Sequence, residues 1–195
     1  VRNESGEPRK LSATGYIEWV LGDLRAKSAM HVTTEIDPKT AALFARNPFN
    51  SDFPDRIAFF DVDDQGTGRT VTGDRAEFLG RNGTMQSPAA MARARLSGRV
   101  GAMLDPCAGI QVTFELGPGQ ERQLVFRMGV GAGIDETRAL VTRFRGATAS
   151  RVALESVWDY WKRTLGAVQV ETPDESLNAL VNGWLLYQTL GCRVW

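Results

Sequence analysis

The sequence predicts a mainly β amino-terminal region followed by helices, and three observations carry that reading. Apolar and polar side chains alternate with period two along several stretches between residues 11 and 128, the signature of half-buried strands. Helical periodicity takes over after Val130. The last helix, from Thr172 onward, is apolar nearly all round, since Leu180, Val181, Trp184, Leu185, Leu186, Tyr187 and Leu190 do not keep to one stripe. A run of strands followed by a run of helices implies either an α+β fold or two domains. The all-round final helix, which has little sequence after it to cover it, favours two domains: strands over 1–131, a helical linker over 132–167, and a second helical domain entered at 168–195 and cut short.

The elements follow in order. Residues 1–10 are polar and read as a turn between strands. Leu11, Ala13, Gly15, Ile17 and Trp19 alternate with polar neighbours, and Gly22-Asp23 ends that strand. Strands are expected at 31–36 and 41–46, joined by the Asp37-Pro38 turn, then at 56–62 and briefly at 69–72. Residues 73–106 are weakly patterned, and long unpatterned connections in compact domains tend to be binding or lid elements. Ile110, Val112, Phe114 and Leu116, with Gly117-Pro118-Gly119 and then Leu124, Phe126 and Met128, read as an antiparallel hairpin. Residues 135–144 fit a short helix. Leu154, Val157, Trp158, Trp161 and Leu165 mark one stripe of a longer helix over 150–165, stopped by Gly166. The last helix should start with Thr172 as its cap, Pro173 in the first turn and Glu175 reaching back.

Composition excludes some functions. Twenty-three basic and twenty-three acidic residues cancel, so the positive footprint of a nucleic-acid binder is missing. No apolar run approaches the roughly 20 residues of a membrane span. Cys107 and Cys192 stand far apart, match no metal spacing and suit a reducing compartment as buried or idle thiols.

The chemistry-bearing residues give no self-contained active site. His31 is the sole histidine, placed in a strand, which removes histidine triads and multi-histidine metal sites within the chain. Gly129, Gly131 and Gly133 imitate a dinucleotide fingerprint, but Ile134 stands where its third glycine belongs. Asp61, Asp63 and Gly66 imitate a calcium loop, but Thr72 replaces the required glutamate, leaving an acidic surface turn. Glu18, Asp74, Glu77 and Asp105 take surface or loop roles by default. Trp158, Trp161 and Trp184 read as core from their spacing, whereas Trp19 and Trp195 stay open to sugar stacking. Arg75, Arg81, Arg93, Arg95 and Arg99 concentrate guanidinium groups in the unpatterned segment, suited to phosphate or sugar hydroxyls or to a solvated face.

Several blocks together resemble one family. GYIEWVLG at 15–22, ARNPFN at 45–50, GDRAEFLGRNG at 73–83 with Pro88, LSG at 96–98, LDPC at 104–107, TPD at 172–174, WLLYQ at 184–188 and CR at 192–193 are similar to the glycoside hydrolase family 94 phosphorylases. Within that family they are most like the phosphorylase-type region of cyclic β-1,2-glucan synthases. The resemblance covers nearly the whole chain. It implies a large antiparallel β-sandwich, here lacking its first strands, then linker helices and the first helix of a six-hairpin α/α barrel that carries the active site.

The resemblance further implies cleavage of a β-glucoside by inorganic phosphate with inversion, or the reverse transfer, with an aspartate as general acid and phosphate in place of a second carboxylate. That aspartate belongs to the barrel beyond Trp195. No catalytic residue is assigned here, and the 195 residues alone are expected to be inactive. No cofactor or metal is expected, phosphate being a co-substrate of the parent enzyme, and the partners are a β-glucan or oligosaccharide, phosphate and a second copy as a homodimer. The expected location is cytoplasmic, and a parent attached to the inner membrane would keep this region on its cytoplasmic side. The substrate-cleft candidates are Arg81 and Asn82, on a loop supported by Asp74, Arg75 and Glu77, with Arg75–Glu77 pairing as the purely structural alternative. A sandwich that binds glucan by itself and a scaffold for dimerisation and barrel support are the competing readings.

Overall fold

The computed structural model of the chain describes residues 1–63 and 68–194. The Asp64, Gln65 and Gly66 part of the expected acidic turn, and Trp195, lie outside them. Two compact units are present, Val1–Ala147 and Thr148–Trp195.

The first unit is a sandwich of two antiparallel sheets. One joins β1 (Arg9–Glu18), β6 (Pro106–Leu116) and β5 (Arg69–Asp74) in the order β1-β6-β5. The other joins β2 (Thr33–Ile36), β3 (Leu43–Arg46), β4 (Ile57–Val62) and β7 (Phe126–Gly131) in sequence order. Strand alternation sorts the side chains between layers. Leu43, Ala45, Ala58, Phe60 and Val62 from one sheet meet Val71, Ala108, Ile110 and Val112 from the other to form the main core, joined by Trp19 and Val32. The alternate residues Phe44, Ile57 and Phe59 face outward and are covered by Val141 and Leu140 of α3 (Ile134–Arg143). The outer side of the first sheet is covered in turn by Phe78, Leu79, Ala90 and Leu96, against which Tyr16 packs.

One strand pairing differs from the sequence expectation. β6 and β7 do not form a hairpin: β6 lies between β1 and β5, whereas β7 pairs with β4 in the other sheet, from Ile57 opposite Gly131 to Val62 opposite Phe126. Alternation reports which face a side chain takes, not which strand lies beside it, and residues 117–125 are long enough to cross the roughly 10 Å between sheets. The polar amino-terminal residues are not a free turn either. The Asn3 amide donates to Gln120 O and the Gly119 amide to Asn3 O, both at 2.9 Å, so residues 1–3 secure the crossing. His31 sits in a 3₁₀ turn (Ala29–His31) after α1 (Arg25–Ser28), not in a strand.

The second unit contains α4 (Ala147–Leu165), α5 (Glu175–Ala179), one turn of π-helix (Leu180–Trp184) and α6 (Leu185–Val194). The cap of α5 is Asp174 rather than Thr172. Its carboxylate accepts from the amides of Ser176 and Leu177, and the Thr172 hydroxyl instead donates within the turn to Asn178. A carboxylate at the N-cap also meets the positive end of the helix dipole, which a hydroxyl does not. Asn178 and Asn182 each bind both polar groups of one extended residue, Thr172 and Val170 respectively, at 2.8–2.9 Å. Trp158, Trp161 and Trp184 are exposed rather than core, as are Leu180 and Tyr187. Spacing marks a stripe but does not say what the stripe meets. Among the described residues no helix is long and apolar enough to cross a membrane.

Candidate functional site

The weakly patterned segment is an ordered excursion between β5 and β6, and polar side chains close its neck. The Arg75 amide donates to Asp105 O at 2.8 Å. Around it, Glu18 and Asp105 each meet both Arg25 and Arg75: Arg25 Nε–Glu18 Oε2 is 3.2 Å, Arg25 Nη2–Asp105 Oδ1 2.5 Å, Arg75 Nε–Glu18 Oε1 2.7 Å and Arg75 Nη1–Asp105 Oδ2 3.4 Å. A closed square of this kind holds better than isolated surface pairs, each worth about 0–1 kcal/mol. Burial pushes the Glu18 carboxyl up, but hydrogen bonds from Arg75 and Tyr16 outweigh it and leave the group below the usual carboxylate range. Burial, with the bond to Glu18, pushes the Tyr16 phenol far up, so it remains a donor.

Beyond the neck the chain forms a short helix rather than a loop. Asp74 caps α2 (Arg75–Leu79) by accepting from the Ala76 amide at 3.0 Å and pairs with Arg99 at 3.0 Å. Phe78 points back onto the sheet and stacks on Tyr16 with ring centroids 4.1 Å apart. Glu77 fastens the returning segment of the excursion. Its carboxylate accepts from Thr72 Oγ1 at 2.6 Å, Ser97 Oγ at 2.5 Å and the Ser97 amide at 3.0 Å, with Arg93 at 3.3 Å. Burial works against the charged form, yet the bonds from Ser97 and Thr72 hold the Glu77 carboxyl below its ordinary value. Arg75 and Glu77 therefore do not pair with each other; each holds a different part of the excursion.

The tip is Arg81-Asn82, exposed between two glycines with distinct reasons to be glycine. Gly80 has φ +87°, in the region open mainly to glycine, and a Cβ on Gly83 would stand 1.7 Å from Leu79 O. Of the five arginines in the segment, Arg75, Arg93 and Arg99 each meet a carboxylate, while Arg81 and Arg95 meet none among the described residues. Asp74, Arg75 and Glu77 brace the base of the excursion, and among the described residues neither the Arg81 guanidinium nor the Asn82 amide at its turn has a side-chain partner. Arg25, Ser97 and Thr72, which complete that support, carry no local signal; Arg25 lies 80 residues from Asp105 in sequence.

Asp61 is not part of an acidic surface turn. Its side chain is fully buried and binds Arg69 of β5 at 2.8 Å, Arg127 of β7 at 2.6 Å and Arg145 at 2.8 Å. Asp63 takes a further contact from Arg127. A carboxylate on a strand with two apolar faces was the available signal, because Asp61 shares its face with Ile57 and Phe59. Trp19, left open to sugar stacking by sequence, belongs to the core. Cys107 is buried and its thiol is pushed up by burial, which leaves it inert, and Cys192 is exposed.

Comparison with known proteins places this architecture. Residues 1–147 match the model of the glycosyl hydrolase 94 supersandwich domain, and residues 160–195 match that of the glycosyl hydrolase 94 superfamily catalytic domain. The whole chain is 40% identical to 7% of the cyclic beta-(1,2)-glucan synthase NdvB of Rhizobium meliloti (strain 1021). It is 26% identical over its full length to 24% of an N,N'-diacetylchitobiose phosphorylase of Vibrio furnissii. Over 57% of the chain it is 32% identical to 14% of a 3-O-beta-D-glucopyranosyl-beta-D-glucuronide phosphorylase of Paenibacillus borealis. The chain spans less than a quarter of the length of each of these relatives.

Proposed function

The chain belongs to glycosyl hydrolase family 94, and from that premise we propose that it serves a larger enzyme that transfers a glycosyl group between a β-linked saccharide and inorganic phosphate. Its own part is to carry the excursion between β5 and β6 as a rigid arm whose tip, Arg81 and Asn82, reaches the substrate cleft. One observation supports this above others: the excursion commits Arg75, Arg93 and Arg99 to carboxylates, while among the described residues Arg81 meets none and stands at the tip between two glycines that no other residue could replace without strain or clash. A planar fork of donors suits phosphate oxygens or vicinal sugar hydroxyls, a match that lysine makes poorly. Phosphorylase names among the relatives favour phosphate as co-substrate.

Arg81→Ala in the full-length enzyme tests this reading. KM for saccharide or phosphate should rise, or kcat fall, by about tenfold or more, the effect of losing one charged hydrogen bond worth about 1.5–3 kcal/mol. Unchanged kinetics with a lower Tm would reassign Arg81 to bracing the loop, and unchanged values of both would remove it from function altogether.

A further inference from the structure

The first unit has a cleft of about 1000 Å³ that takes no residue from the excursion. It opens where the chain leaves β1 and β3, and Leu21, His31, Asn47, Phe49, Phe53 and Arg56 are among its lining. Its wall is a built surface. The side-chain amides of Asn47 and Asn50 both donate to Leu21 O, at 2.9 and 3.3 Å. Their carbonyl oxygens turn the other way, Asn47 accepting from the Phe49 amide at 3.0 Å and Asn50 from the amides of Asp52 and Phe53 at 2.9 and 3.0 Å. Leu21 itself has φ +42°, a strained value for a leucine. Strain of this sort persists where the surroundings hold it, and it gathers at ligand sites.

What this wall presents is aromatic. Phe49 is 75% and Phe53 59% exposed, and the ring contact of Phe49 is with His31 at 4.5 Å between centroids. Folding gains little from two phenyl rings held out in water by a fixed backbone, so the Phe53 ring and the face of Phe49 that is not stacked on His31 are available to a ligand. The charges around them cancel. Lys27 pairs with Asp23 at 3.0 Å, and Asp52 and Arg56 add one charge of each sign. A polyanion gains nothing from such a lining, whereas a neutral molecule with flat apolar faces and a fringe of hydroxyls finds both kinds of contact. Pyranose rings have that construction, and the volume lies at the upper end of ligand pockets, about 300–1,000 Å³.

We propose that this cleft binds a neutral oligosaccharide, with Phe49 and Phe53 against pyranose faces and Asp52 and Arg56 on ring hydroxyls. The site is separate from the Arg81 tip and does not depend on the role given to it. The test is calorimetric titration of the 195-residue chain with cellotetraose and with the β-1,2-linked tetrasaccharide of glucose. Saturable binding with Kd in the millimolar range or tighter is expected for at least one of them. Phe49→Leu and Phe53→Leu, which keep apolar bulk and remove the ring face, should each weaken it by roughly tenfold with Tm unchanged, and Arg81→Ala should not alter it. Absence of saturable binding overturns the proposal. So does binding that survives both phenylalanine substitutions, or binding lost with Arg81→Ala, which would move the saccharide to the excursion.

Discussion

Asp61 gathers the guanidinium groups of Arg69, Arg127 and Arg145 at zero side-chain exposure, whereas Glu77 gathers two hydroxyls, one backbone amide and the half-exposed Arg93. Both are carboxylates at the centre of a polar cluster, and depth separates them. A charge fully removed from water needs compensation on every side, and Asp61 obtains it from three chain segments that belong to both sheets and to the turn after α3. The excess positive charge is spread onto carbonyls, with Arg69 donating to Ala41 O and Arg145 to Thr40 O at 2.7 Å each. Glu77 lies nearer the surface, where hydroxyls suffice, and its partners Thr72 and Ser97 join the start of the excursion to its return. The deep cluster holds the sandwich together, and the shallow one positions an arm.

The strongest way to break that contrast is Asp61→Ala. It leaves three largely buried guanidinium groups without their fully buried carboxylate, and losing one partner of a buried ion pair costs about 3–5 kcal/mol. Thermal unfolding should show Tm falling by roughly ten degrees or more, at about 2–4 °C per kcal/mol for a chain of this size. A drop of only a degree or two would mean that Asp63 and the carbonyls already satisfy the arginines.

Acid should sharpen the same contrast. Burial pushes the Asp61 carboxyl up, but the hydrogen bonds from Arg127, Arg145 and Arg69 prevail and hold it below the usual range; Asp37, Glu18 and Glu77 are lowered likewise. A carboxylate with a depressed folded pKa takes up a proton more readily in the unfolded chain. Its stabilisation is therefore complete above the unfolded pKa, about 4, and is lost as pH falls from there through the folded value. Tm measured from pH 7 downward should stay level to about pH 5 and then fall, and Asp61→Asn should flatten that slope. Glu77→Gln should flatten it less.

Much of this was legible in the sequence, and the failures have physical causes. Alternation located the strands and helical spacing located α3 and α4, because both patterns are properties of local geometry. Pairing partners were not legible: β6 and β7 read as a hairpin although each lies in a different sheet. The neck was invisible for the same reason, since Arg25 and Asp105 meet only through the fold. The role of Asp61 could have been inferred, because it interrupts an apolar strand that includes Ile57, Phe59 and Val62. Phe49 and Phe53 gave no such hint, as exposed and buried phenylalanine look alike in a sequence. For the candidate tip the glycines at 80 and 83 were the readable part, and the helix between Asp74 and Gly80 was too short to announce itself.

Glu77→Gln is the mildest and most selective test of the difference between the clusters. The glutamine oxygen can keep the Ser97 amide, which lies 3.0 Å from Glu77 Oε1. Its nitrogen would then face Thr72 Oγ1 and Ser97 Oγ, whose hydroxyl protons now point at the carboxylate. Both hydroxyls already accept a backbone amide, from Asp74 at 3.2 Å and from Arg99 at 3.1 Å, so accepting from glutamine as well fills the second lone pair and leaves each hydroxyl proton without its present acceptor. Charge-assisted bonds worth about 1.5–3 kcal/mol become neutral ones worth about 0.5–1.5, a loss of roughly 1–2 kcal/mol. That lowers Tm by about 2–8 °C. The loss should be local: amide hydrogen exchange should quicken at Ser97 and Arg99 while the amides of β4 and β7 around Asp61 keep their protection. Equal acceleration in both places would show that the arm and the sandwich open as one cooperative unit, and the division of labour between Asp61 and Glu77 would fail.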